Sequence, residues 1–115
     1  MNRFEADVRA RGTTVFAHID HAAGAAAVGL SLRPTEILIF GNARGGTPLM
    51  ELVQTIGIDL PLKALVWQDA SGVTWLSYND LNWLAKRHGL GPKVGATVTI
   101  PAAALDKMAR SATNA

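Results

Sequence analysis

The sequence predicts an α+β fold, a two-layer domain with a largely antiparallel sheet and its helices on one face. Three observations lead there. Lys63–Asp69 and Val73–Tyr78 are apolar, aromatic-rich runs separated by Ala70-Ser71-Gly72, which reads as a β-hairpin with Gly72 in the left-handed turn position. Segments with helical spacing alternate with strands elsewhere, but this hairpin interrupts the βαβ order that a parallel sheet would need. The chain has 115 residues, 49% of them hydrophobic. A domain of that size buries roughly 65% of the surface its unfolded chain would expose, so it folds around a core without staples.

The elements follow in order. Residues 2–11 read as a short helix with Phe4 and Val8 one turn apart, stopped by Gly12. Thr13–Ile19 is rich in β-branched and aromatic residues and reads as a strand. Asp20 caps a short helix over His21–Val28, and Gly29 stops it. Glu36–Phe40 is a second strand, with Pro34 ahead of it because proline gives no N–H to a ladder. Gly41–Gly46 reads as a loop, with Thr47 as the cap and Pro48 as the first residue of a helix reaching about Thr55. Gly57–Pro61 reads as an extended connection to the hairpin. After it, Asn79 or Asp80 caps a helix with Leu81, Leu84, Ala85 and His88 on one face, ended by Gly89-Leu90. Gly91-Pro92 extends that stop. A last helix covers about 101–111, with Leu105, Met108, Ala109 and Ala112 as its stripe and 112–115 as a fraying tail. The whole of 1–115 is read as one domain.

Composition removes several chemistries. There is no cysteine, hence no disulfide, thiolate or Cys-type zinc site. No apolar run approaches the ~20 residues that span a bilayer, and the first residues lack the pattern of a signal peptide, so a cytoplasmic protein with no membrane partner is expected. The formal net charge is only +2, and Lys86, Arg87, Lys93, Lys107 and Arg110 read as a solvated surface rather than a phosphate-binding face. Nucleic acid is therefore not expected as a partner.

The best candidate site is the segment Gly41-Asn42-Ala43-Arg44-Gly45-Gly46-Thr47. It joins a strand to a helix N-terminus, where free amides favour an anion. It is not a phosphate loop, because Thr47 stands where the lysine belongs. Asn42, Arg44, Thr47, Lys63 and Tyr78 form the expected ligand-binding set, with Asp20 and His21 nearby. A bland reading stands beside each: Thr47 as a simple cap, Tyr78 as packing, Asn79 as a cap, and His21 and His88 as hydrogen-bonding structural histidines. His18, Asp20 and His21 suggest a metal set only weakly, since Asp20 is explained as a cap, and no metal or cofactor is assigned. Ser31, Ser71 and Ser77 show no nucleophile pattern, and no carboxylate pair suggests acid–base work. Trp67 and Trp75 are expected to face each other across the hairpin.

Several segments carry a family resemblance. They are Phe16-Ala17-His18-Ile19-Asp20-His21; Ile39-Phe40-Gly41-Asn42 leading to Gly46-Thr47-Pro48-Leu49-Met50; Asp59-Leu60-Pro61-Leu62-Lys63; Leu76-Ser77-Tyr78-Asn79-Asp80; and Arg87-His88. In this order they resemble the bacterial and archaeal domain of unknown function 302 family over about residues 12–90. The resemblance implies a fold like the TATA-box-binding protein and a homodimer, and it implies no activity. Ala43 and Leu81 stand where members often have proline; members usually begin with a strand before the first helix, whereas this sequence starts at or inside that helix, so an open sheet edge is expected.

The strands point to a partner independently. Val15, Ala17 and Ile19 are placed on one face with Phe16 on the other. Ile37 and Ile39 oppose Leu38 and Phe40, and Leu65, Trp67 and Trp75 oppose Val66, Leu76 and Tyr78. Both faces are apolar, whereas a two-layer domain normally turns one face to water. A homodimer that binds a small anionic ligand without catalysis is the first expectation. An enzyme with His21 or His88 as base, and an interaction module without ligand, are the alternatives.

Overall fold

The computed structural model describes residues 1–90 and 96–113. Gly91-Pro92, Lys93 and the last two residues of the tail lie outside them. Chain order is α1 (Asn2–Ala10), β1 (Thr14–Asp20), α2 (His21–Ala27), β2 (Thr35–Gly41), α3 (Ala43–Leu52), a 3-10 turn (Gln54–Asp59), β3 (Leu62–Gln68), β4 (Thr74–Tyr78), α4 (Leu81–Arg87) and α5 (Ala96–Thr113). The strands form one four-stranded antiparallel sheet in the order β1-β2-β3-β4. Among the described residues no strand precedes α1, and β1 is an edge of the sheet.

Pairing register decides which side chains share a face. Leu38 pairs with Ala64, and Phe40 with Val15 and Leu62. These residues meet α1 and α5, where Phe4, Val8, Leu38, Phe40, Ala64, Leu105 and Met108 form a buried cluster. Phe4 and Phe40 pack edge to face, ring centroids 5.5 Å apart. A second cluster lies at the Gly41 end of the sheet, where Leu49, Ile56, Leu81, Leu84, Ala85, Leu90 and Val98 gather from α3, the 3-10 turn, α4 and the residues just after it, and α5. Leu62 packs against both clusters.

The opposite face carries Ala17 and Ile19 beside Ile39 and Ile37, then Leu65, Trp67 and Trp75. None of these seven belongs to either cluster. Ile19 is 43% exposed and Trp75 51%. One expectation about this face needs correction. The β1–β2 register shifts between Val15 and Ala17. Phe16 is the extra residue of a bulge, so Val15 turns into the core while Ala17 and Ile19 face away from it.

The hairpin forms as its residues dictate. Gly72 has φ +83°, and Asp69 organises the turn by accepting from the Ser71 and Val73 amides through Oδ1. Asp20 caps α2 by accepting from the Ala23 amide, and Asp80, not Asn79, caps α4 by accepting from the Asn82 amide. Three boundaries differ from expectation. Gly57–Pro61 is largely a 3-10 turn followed by a cis Leu60–Pro61 bond, not extended chain. Pro101 lies inside α5 rather than at its start, where packing of Leu105 and Met108 outweighs one missing helix bond. The tail is helical to Thr113, whose Oγ1 donates to the Ala109 carbonyl.

Candidate functional site

The β2–α3 junction is built differently from the expected loop. Asn42 is the helix cap, with φ −142° and ψ 124°, and its Oδ1 accepts from the Arg44 amide at 2.9 Å. The Gly45 and Gly46 amides both donate to the Asn42 carbonyl at 2.9 Å. Gly45, Gly46, Thr47 and Pro48 therefore lie within α3. Glycine and proline are poor helix formers, but the cap at Asn42 and the buried Leu49 hold the segment in the helix. Thr47 is not a cap. The amides expected to cradle an anion are already bonded to oxygens of Asn42.

What the junction does border is a cavity of about 740 Å³. It runs between the two apolar clusters. Phe40, Leu105 and Met108 line it from one, Leu49 and Leu81 from the other. Phe16, Met50, Leu60, Pro61 and Pro101 complete much of the wall. The polar side chains on it are Arg11, Thr13, Asn42 and Thr47. Thr13 and Asn42 sit together because each lies one residue beyond the Thr14–Gly41 pair. Gly41 packs beside Pro61 and Phe16, where a Cβ would stand in ordinary contact at 3.4 Å from Pro61 Cβ and 3.7 Å from the Phe16 ring.

The expected ligand set is thus divided. Asn42 and Thr47 reach the cavity, while Arg44 is exposed beside it and does not line it. Lys63 pairs with Ile39 on the opposite sheet face, and its Nζ donates to the Pro61 carbonyl. Asp20 and His21 stand at the far end of β1, roughly 20 Å of strand away. Tyr78 belongs to a separate hollow of about 540 Å³ with Asp80, Asn82, Ala103 and Asp106. Its hydroxyl donates to Asp106 Oδ1, and burial together with this bond raises its pKa.

The histidines are held by carboxylates. Both ring nitrogens of His18 lie 2.8 Å from carboxylate oxygens, Nδ1 on Glu5 and Nε2 on Glu36. The Glu36 bond raises the His18 pKa; burial opposes it, and Glu5 adds to the rise. When protonated the ring donates to both carboxylates and ties α1 to β2. His88 bonds through Nε2 to Asp59, which also receives Arg87. Neither His21 nor His88 lines either of these hollows. Of the basic surface, Arg87 and Arg110 are paired with Asp59 and Asp106. Arg11, Thr13, Met50 and Met108 were not legible as site residues, although the Thr13–Asn42 adjacency follows once two antiparallel strands are in register.

The profile of the domain of unknown function DUF302 matches residues 1–112. The chain belongs to the DUF302 family. An uncharacterized conserved DUF302 protein from Bacillus stearothermophilus has a similar crystal structure, with TM-score 0.84, 19% identity, and 96% of this chain and 86% of that one covered. At that identity the likeness is one of fold. Stronger sequence likeness is to proteins called fluoride-specific ion channel FluC 1, from Brucella suis biovar 1 (strain 1330) and Brucella abortus biovar 1 (strain 9-941). Each is 52% identical over 91 residues, which is 79% of this chain and 36% or 34% of theirs. The DUF302 chain thus spans about a third of the length of these curated relatives. Among its described residues no helix is long and apolar enough to cross a membrane.

Proposed function

We propose that this DUF302 domain binds a small, largely apolar molecule in the cavity beneath α3. The observation that carries the reading is the wall itself: about 740 Å³ bounded by apolar side chains of two separate clusters, with few polar groups. Ligand sites are commonly concave, apolar and of ~300–1,000 Å³, with a small number of placed polar groups. The test is a titration with N-phenyl-1-naphthylamine, an uncharged dye that brightens in apolar surroundings. The wild type binds it, and Gly45→Leu binds it at least about tenfold more weakly, a loss of ~1.4 kcal/mol. Gly45 lines the cavity and a Cβ there meets nothing within 4 Å, so a larger side chain at its wall is accommodated without breaking the fold. Equal binding by both proteins overturns the cavity as the site.

The same domain is proposed to work as a homodimer through the sheet face of Ile19, Ile37, Ile39, Leu65, Trp67 and Trp75. The support is that α1 and α5 pack on the other face. A monomer rarely leaves more than a few hundred Å² of contiguous apolar surface to water. Both indole donors are already used within the chain, by Ser77 and Asp69, so a dry contact would strand neither.

The Brucella relatives favour a second reading, that the domain acts beside a fluoride channel as an attached or associated module. On this proposal the pore belongs to the part of those proteins that this chain does not span. Growth of cells in fluoride, with and without the domain, tests it. Equal tolerance argues against a role in fluoride handling.

A further inference from the structure

We propose that the ligand of the cavity carries a single anionic, hydrogen-bond-accepting end, a carboxylate on an unbranched apolar body, seated at Thr13 and Asn42. This rests on the cavity reading above and adds the ligand's chemistry and orientation.

The polarity of the wall is one-sided. Arg11, Thr13 and Asn42 converge where β1 begins and β2 ends, because Thr14 and Gly41 are strand partners. Leu81, Pro101, Ala104, Leu105 and Met108, contributed by α4 and α5, are wholly apolar. A molecule lying between the two clusters therefore meets the charged and amide groups at one end, with Thr47 of α3 as the one further polar side chain on the wall.

The polar end donates. Asn42 Oδ1 is occupied by the Arg44 amide, which leaves the Nδ2 hydrogens of this exposed side chain open to solvent or to a ligand. Neither Asn42 Nδ2 nor the Thr13 hydroxyl has a hydrogen-bond partner among the described residues. Arg11 is held through Nε by Asp7 Oδ2 at 3.0 Å, with its terminal nitrogens outside that bond. The Asn42 amide hydrogens, the Thr13 hydroxyl and a guanidinium favour a carboxylate over an alcohol, and disfavour an ammonium, which would meet the Arg11 charge with only hydroxyl oxygens to accept its protons. The Arg44, Gly45 and Gly46 amides take no part, since Asn42 already satisfies them.

The experiment displaces N-phenyl-1-naphthylamine with octanoate, 1-octanol and octylamine, matched in body and different in head. For the wild type, octanoate competes about tenfold or more better than either other compound. Each methylene added to the alkanoate raises affinity about threefold to fourfold until the cavity is filled. Asn42→Asp keeps the α3 cap, because aspartate caps as well as asparagine, but replaces two donors with a carboxylate. In this variant the melting midpoint holds, and the advantage of octanoate over 1-octanol, read within the variant itself, is lost. Equal competition by the three compounds, or octylamine as the best, overturns the anionic end and leaves the cavity standing. An octanoate advantage that survives Asn42→Asp overturns the seat at Asn42. A wild type that never binds the dye overturns the cavity reading itself.

Discussion

Trp67 and Trp75 are direct partners across the β3–β4 hairpin, their rings stacked with centroids 6.4 Å apart and planes 25° from parallel. Each indole also donates within the hairpin, Trp67 to Ser77 Oγ and Trp75 to Asp69 Oδ2, both at 2.9 Å. Such pairs contribute about 0.5–1.5 kcal/mol beyond the area they bury. A double-mutant cycle of Trp67→Ala and Trp75→Ala, read by urea unfolding, should give a coupling of that size. Additive losses would mean that the rings do not act as a pair.

The helix cap gives a sharper contrast. Asn42 Oδ1 accepts from the Arg44 amide, whereas Thr47 lies a turn inside α3. Asn42→Ala should cost about 1 kcal/mol, as lost caps do. Thr47→Ala should stay within about 0.5 kcal/mol, as for a surface position. Thermal denaturation distinguishes them, and the reverse order would move the helix start to Thr47.

That contrast shows where the sequence was readable. The hairpin was legible in detail because Gly72 fixes the turn and the turn fixes the register. The β1 bulge was not, since no residue type marks Phe16 as the unpaired one. The α3 start was misread because Gly45-Gly46 and Thr47-Pro48 carry the local signals of a loop and a cap. Burial of Leu49 at 1% exposure overrides them. The site was only half legible. Asn42 and Thr47 line the cavity, but Lys63 and Tyr78 were grouped with them without the register, which turns Lys63 to the other face and sets Tyr78 in a different hollow.

Stability should depend on pH through His18. The Glu36 bond raises its folded pKa above the ordinary 6.5, with burial opposing and Glu5 assisting. A raised basic group stabilises most fully below its unfolded value, and that contribution is lost as pH rises through the folded value. Glu5 acts in the other direction. Burial pushes its pKa up, but the bonds from Arg9 and His18 outweigh this and hold it below 4.5. Its contribution is therefore lost as pH falls through that lowered value. Urea midpoints taken from about pH 6 to about pH 9 should decline for the wild type. His18→Gln should flatten the decline, and an identical slope in both proteins would remove His18 as its cause.

The proposed dimer predicts a definite response to charge. Ile37 is half-buried at the centre of the open face, between Ile19 and Leu65. Light scattering at tens of micromolar protein should give twice the chain mass, and Ile37→Lys should give the single mass with the far-ultraviolet spectrum retained. An interface of this kind needs more than ~1,000 Å² in total, and a buried unpaired lysine at its middle is costly. A wild type that scatters as a monomer would leave the open face without a second copy.

Two glycines on the cavity wall should respond in opposite ways to one added methyl group. Neither Gly45 nor Gly57 has a positive φ, so backbone strain does not separate them. A Cβ at Gly45 meets nothing within 4 Å, and the residue lies in the first turn of α3. Alanine there gains helix propensity, and Gly45→Ala should stabilise the protein by about 0.5–1 kcal/mol. A Cβ at Gly57 would stand 3.2 Å from Met50 Sδ, tighter than ordinary contact. Met50 must then give way, and its flexible side chain has the cavity it already lines as its nearest free space. Gly57→Ala should therefore be neutral to destabilising by about 1 kcal/mol, the lower range for overpacking, and should weaken dye binding. Differential scanning calorimetry with and without dye separates the two effects. A melting midpoint for Gly45→Ala below that of the wild type would place Gly45 outside a helix and remove α3 as the roof of the cavity.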